Sequence, residues 1–256
     1  MKKKLRNILI VCLCLIAAAG IGFVICYMVL VNKNEDVYQE AREKAKVEVP
    51  VQNEPEKEEQ KVDIPIDFEE LKKINPEVYA WIEIPGTNVD YPILQRPSDD
   101  AYYLNHSMDG KEGYPGSIYT EGCNRQDFTD FNTVIYGHDM KDGSMFADLH
   151  KYMDNAFLSE NSEVIIYTPD KKLTYQIFAG VVYDDRHIMK TYDFDEVEGR
   201  SAFVDSLNTL RDMRSVIDES VQVNLTTDRI ITLSTCIGAE SNHRFLVEAV
   251  LVNEES

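Results

Sequence analysis

The run Ile231-Thr232-Leu233-Ser234-Thr235-Cys236 brings one thiol to the end of a β-branched, apolar segment, and Arg244-Phe245-Leu246-Val247 opens a second such segment with a guanidinium. Upstream, Thr133-Val134-Ile135-Tyr136-Gly137-His138-Asp139 repeats the pattern with a glycine and then an imidazole. Strand ends are rigid and hold side chains in fixed geometry. A thiol becomes a nucleophile as its thiolate, and a cationic neighbour favours that form. An imidazole titrates near neutral pH, so His138 can take the thiol proton and later return one to a leaving amine. Arg244 keeps its proton, so it can serve as a donor to an oxyanion but not as a base. The three together are the parts of a covalent acyl transferase or protease.

Each residue also has a plainer reading. Cys236 could be a buried, inert strand cysteine, and Arg244 a strand-edge cation paired with one of many carboxylates. His138 could be a loop histidine, which is the reading given to His106, His150, His187 and His243. What separates His138 from these four is its place at the close of an apolar strand. No Asp or Asn is obviously poised to complete a papain-like triad, so Cys236, His138 and Arg244 form the simpler set.

The elements that must position them are mostly short strands, expected at 80–84, 91–94, 117–120, 133–136, 164–168, 173–183, 221–225, 230–235 and 245–252. Turn signals such as Pro85-Gly86 and Pro169-Asp170 separate them. Three helices interrupt the series. One spans 67–76, with Asp67 as cap, Glu70 three residues on and Pro76 at its end. Another spans 144–153 and puts Met145, Phe146, Leu149 and Met153 on one face. A third spans 195–213 with Phe203, Leu207 and Leu210 inward. Many strands and few helices indicate a mainly β protein, a barrel with helical additions.

The N-terminus reads as an address. A basic tail at 1–7 (Lys2, Lys3, Lys4, Arg6) precedes 24 uncharged, apolar residues at 8–31. That length suits a transmembrane anchor, since about 20 residues span a bilayer core. A cleaved signal peptide is the alternative, but no clear small-x-small site follows Val31. With its charges ahead of the span, the chain is expected to be single-pass in the cell membrane, N-terminus cytoplasmic and residues 32–256 outside. A charged stalk is expected at 32–65 and the folded catalytic domain at 66–256. Beyond the basic tail, 22 basic residues face 45 acidic ones. This excludes nucleic acid as a partner, because a binder needs a basic patch. Cys123 and Cys236 lie outside the apolar run, and a disulfide between them is the alternative to a free Cys236.

Thr232-Leu233-Ser234-Thr235-Cys236, Tyr136-Gly137-His138 and Arg244-Phe245-Leu246-Val247 resemble the sortases, membrane-anchored cysteine transpeptidases of Gram-positive bacteria. The similarity is closest to class B, through 81–92, Tyr103-Leu104-Asn105, Gly116-Ser117-Ile118 and the long helix ahead of the cysteine strand. It covers about residues 66–252. The resemblance implies an eight-stranded barrel with an N-terminal helix and an inserted helix, and a catalytic set falling on Cys236, His138 and Arg244. It implies cleavage of a C-terminal sorting motif of secreted proteins through a thioester on Cys236. An amine of cell-wall peptidoglycan, on lipid II or a cross-bridge, or a pilin lysine would then resolve that thioester. Asn105, Tyr136 and Thr235 match positions near the family's groove and are substrate-binding candidates, and no metal or cofactor is implied. Ile237 departs from the pattern, standing where some class B members carry an acid. An L,D-transpeptidase or a secreted cysteine peptidase is the enzymatic alternative, although Thr235 precedes the thiol here rather than glycine. A stalked, non-catalytic adhesin is the third reading, and it leaves the strand-end residues unexplained.

Overall fold

The computed structural model describes residues 2–46, 62–238 and 240–256. Among the described residues nine strands carry the fold: β1 (Val78–Glu83), β2 (Asp90–Leu94), β3 (Ile118–Thr120), β4 (Asn132–Tyr136), β5 (Glu163–Tyr167), β6 (Lys172–Asp184), β7 (Val216–Ile217), β8 (Ile230–Ile237) and β9 (Glu240–Glu255). They pair in the order β5-β1-β2-β3-β4-β8-β9-β6-β7, and β5 also pairs with β6. That last pairing closes eight strands into a barrel and leaves β7 as a short addition on β6. The protein is mainly β, as expected. The strand expected at 221–225 does not form. Asp218 N–H bonds back to the Phe178 carbonyl at 2.7 Å, Val221 turns onto Asp218, and the pairing stops at β7.

Period-2 alternation sorts the side chains into two apolar clusters. Ile231, Leu233, Phe245, Val247 and Ala249 fill the barrel interior with Trp81 and Ile135. Their neighbours Val134, Ile230, Leu246 and Val250 face outward, under α4 (Ile188–Thr191) and α5 (Val197–Leu210), where Phe203 and Leu207 cover them. Leu210 is exposed rather than inward. The first expected helix forms as α2 (Phe68–Ile74), with the Asp67 carboxylate accepting from Glu70 N–H at 3.0 Å. The second is a 3-10 helix confined to Ala147–Met153. Met145, at φ 55°, breaks it upstream and donates its N–H to the Tyr91 hydroxyl. A short α3 (Asn155–Glu160) follows it.

The N-terminal expectations need correcting. α1 runs from Lys2 to Ala45, yet among the described residues no helix is long and apolar enough to cross a membrane. The transmembrane anchor at 8–31 and the single-pass membrane location are therefore not retained. In the segment expected as stalk, Tyr38, Ala41 and Ala45 of α1 are buried against the barrel, and residues 47–61 lie outside the described residues.

One acid is buried in the outer layer. Glu248 is fully buried, opposite Thr232 on the neighbouring strand. Thr232 Oγ1 lies 2.8 Å from Glu248 Oε2 and 3.0 Å from Asn132 Oδ1. One hydroxyl proton cannot serve both oxygens, but a protonated Glu248 completes the chain by donating to Thr232, which donates to Asn132. Burial agrees, raising the Glu248 carboxyl to about 8. Folding thus takes up a proton here. The stability this group contributes is full below its unfolded value near 4.5 and is lost as pH rises through about 8. Glu248→Gln should flatten that dependence, with the variant gaining on the wild type by a few kcal/mol, at the order-of-magnitude level, between pH 5 and 9. Chemical denaturation at several pH values measures it, and a constant difference across that range would refute the buried neutral acid.

Candidate active site

β8 sits between a parallel neighbour, β4, and an antiparallel one, β9. The second pairing sets Cys236 directly opposite Arg244. Opposed residues share a face, with Cβ atoms about 4.5–5.5 Å apart. The first sets Tyr136 beside Ser234, and Gly137 N–H extends the ladder to the Ser234 carbonyl at 3.1 Å. His138, two residues past Tyr136, therefore arrives alongside Cys236, two residues past Ser234. The three residues line one cleft of about 250 Å³. Glycine is required at 137, because a Cβ there would stand 2.5 Å from Ile118 Cδ1 and 2.6 Å from Phe146.

The Cys236 side chain is exposed, and Arg244 and His138 are half-buried. The Arg244 Nη1 donates to the carbonyls of His243 (2.8 Å) and Ser241 (3.1 Å), which fixes the guanidinium at the cleft. The His138 Nε2 lies 2.7 Å from the Leu104 carbonyl. A carbonyl only accepts, so Nε2 carries the hydrogen and Nδ1 is the nitrogen left for proton exchange. The Tyr114 ring meets the imidazole edge-on at 4.8 Å.

Of the substrate-binding candidates, Tyr136 and Thr235 line the cleft. Asn105 does not; it is exposed one residue beyond Leu104, with its Oδ1 2.9 Å from the His106 ring. Tyr136 stacks on Tyr119 at 5.4 Å, and burial raises both phenols, keeping them neutral. Thr235 is buried and its Oγ1 has no partner.

Two features escaped sequence reasoning. His150 Nε2 donates to the Cys236 carbonyl at 3.1 Å, its Nδ1 faces Asp139 at 3.7 Å, and the other Asp139 oxygen accepts from Gly238 N–H at 3.3 Å. This pair braces the thiol-bearing turn from behind. The signal was local: Asp139 follows His138 and so faces the other way along an extended chain. The second is a charged rim, where His187 meets Glu121 at 2.8 Å beside Asp184 and Asp185. It comes from segments 60 residues apart, and no sequence pattern announces it. Among the described residues no group of acids, histidines and cysteines could hold a metal ion.

A β-barrel with a thiol, an imidazole and a guanidinium at adjoining strand ends defines a cysteine acyl-transfer enzyme. Comparison with known proteins makes this specific. A sortase domain model matches residues 82–252. The sortase B of Listeria monocytogenes is 38% identical over 176 residues, covering 66% of this chain and 67% of that protein. A Bacillus anthracis sortase B in complex with AAEK1 superposes with a TM-score of 0.71 at 28% identity, over 88% of this chain and 99% of that one. A Staphylococcus aureus sortase B–substrate complex gives 0.64 at 30% identity, over 73% and 84%. The chain belongs to the sortase family and, within it, to class B. It is accordingly a cysteine transpeptidase, and cleavage of a sorting motif is the activity of its family.

Cys123 offers a contrast within the molecule. It is free and exposed on the polar loop after β3, and partial desolvation of its thiol, followed by Glu121 and Asp100, pushes it up to about 11. At pH 7.5 under ~0.1% of it is thiolate. Iodoacetamide at that pH should leave Cys123 unmodified, with labelling appearing only as pH approaches 11. Peptide mapping across pH decides it, and rapid labelling of Cys123 at pH 7.5 would contradict the upward shift.

Proposed function

We propose that Cys236 is the nucleophile, His138 the acid and base, and Arg244 the oxyanion donor of this transpeptidase. The observation that supports the assignment is the strand register, which carries all three to one cleft from β4, β8 and β9. The Cys236 thiolate attacks the carbonyl at the scissile bond of a sorting motif carried by a secreted protein. Arg244 N–H groups stabilise the oxyanion as it forms. The C–N bond then breaks, His138 gives its proton to the leaving amine, and a thioester remains on Cys236. In the second half an amine of cell-wall peptidoglycan attacks the thioester carbonyl. His138 takes the proton of that amine, and the thiolate departs with the new amide complete.

The working unit in this reading is the barrel domain, from about residue 66 to 256. Tyr136 and Leu104 supply apolar wall against which an extended peptide can lie, and Thr235 lies beside the thiol, with Asn105 outside the lining, next to Leu104. A pilin lysine is the alternative source of the attacking amine.

Intact-mass analysis with a sorting-motif peptide tests the nucleophile. An acyl adduct should form on the wild type, be absent in Cys236→Ala and persist in Cys123→Ala; loss of the adduct in both variants would overturn the assignment. Arg244→Ala should lower kcat by about 10²–10³ with little change in KM, since an oxyanion donor acts mainly in the transition state. Arg244→Lys should restore only part, because one ammonium does not copy a planar fork of donors. A raised KM with kcat intact would instead make Arg244 a substrate clamp.

A further inference from the structure

The segment whose Leu104 carbonyl contacts His138 is itself pinned, at its Gly116-Ser117 turn, by the N-terminal helix. The Tyr38 hydroxyl, buried on α1, lies 2.6 Å from the Gly116 carbonyl and 3.0 Å from Ser117 Oγ. Ser117 passes its own proton to the His106 carbonyl at 2.8 Å, and its N–H goes to Tyr103 at 2.9 Å. Gly116, at φ +71°, approaches so closely that an added Cβ would stand 2.5 Å from the Leu104 oxygen. That oxygen is the one 2.7 Å from His138 Nε2. Two residues before Gly116, Tyr114 meets the other side of the imidazole. Segment 103–117 thus grips His138 at two points, and Tyr38 pins the segment at its turn.

We infer that Tyr38 is a positioning residue, setting the orientation of the His138 ring through the Gly116–Leu104 contact. The inference rests on His138 being the acid and base proposed above. Docking of α1 makes the hydroxyl's place definite: the Tyr38 ring stands edge-on to Tyr91 at 5.4 Å, and the Arg42 guanidinium lies 4.9 Å from the same Tyr91 ring. Tyr38→Phe keeps that ring contact and removes only the clamp. Loosening the Leu104 carbonyl should release the His138 ring from this orientation, while the charged groups around the cleft, Arg244, Glu121, Asp184 and Asp185, stay as they are.

The test uses the full chain with Tyr38→Phe, followed by NMR of the histidine rings at fixed pH and by measurement of kcat and KM. The His138 ring resonances should shift and its N–H should lose protection from solvent, as the hold of the Leu104 carbonyl loosens. The resonances of His187 and His243, in the rim and on β9, should stay in place. kcat should fall about 10-fold, with KM within about two-fold of wild type, as a misplaced general base predicts. If Tyr38→Phe fails to fold, Ser117→Ala removes the second half of the same clamp and is read in the same way. His138 ring resonances superimposed on wild type overturn the inference, whatever happens to thermal stability. So does an equal shift of all the rings, which would mark general loosening. His138→Ala separates the two claims. If it retains acyl transfer, the acid–base role fails while the NMR still reports on the clamp; if it is inactive and the Tyr38→Phe ring resonances are unchanged, only the clamp fails.

Discussion

The register of β8 between β4 and β9 is the constraint on which the remaining chemistry depends. Side chains alternate along a strand, so a slip of one residue would turn Cys236 into the barrel and Thr235 outward. The apolar alternation prevents this: Ile231 and Leu233 on β8 and Phe245 and Val247 on β9 fill the interior, and any slip would expose all four together. The thiol and the guanidinium are held on the outer face by the same hydrophobic burial that closes the barrel. Their juxtaposition needs no dedicated contact between them.

The site is also supported from two other directions. Behind the thiol, Asp139 and His150 secure the turn that follows Cys236 by bonding its backbone. Farther along the same outer face, Thr232 and Glu248 form a polar rung beneath the cover of α4 and α5. A neutral acid at Glu248 lets the layer above it stay apolar, as an ionised one would not. The α4–α5 layer thus rests on strands that reach the cleft at one end and a protonated carboxyl farther back.

Much of this was legible in the chain. Cys236, His138 and Arg244 each close or open a β-branched run, and the structure brings those run ends to one cleft. Eight of the nine expected strands form close to where turn residues and β-branched runs place them. The ninth, at 221–225, has the right composition but no neighbour to pair with, and composition alone carries no information about partners. The expected helix at 144–153 was shortened by a tertiary bond, Met145 to Tyr91, that lies 54 residues away in sequence. Long-range contacts also explain the features that were missed. His150 looks like any loop histidine until β8 is folded beside it, and Glu121 and His187 meet only once the barrel has closed. The apolar run at 8–31 read as a membrane span on length, yet among the described residues no helix is long and apolar enough to cross one. Tyr38 was the lone aromatic in a charged segment, and that isolation was the only sign of its docking.

Closure of the barrel has a further consequence for how partners are met. Each of the eight strands in the ring has a neighbour on both sides, and β6 carries β7 besides. Among the described residues only the two-residue β7 keeps an unpaired edge, so the ring itself offers an extended polypeptide no open row of backbone donors and acceptors to zip onto. Selectivity has to be written in the loops that crown the cleft, above all 103–117 and 184–188, while the strands beneath them stay fixed. Of the two, 103–117 also carries the Leu104 carbonyl and the Tyr114 ring that contact His138, so 184–188 is the handle for redirecting the enzyme that leaves those contacts in place.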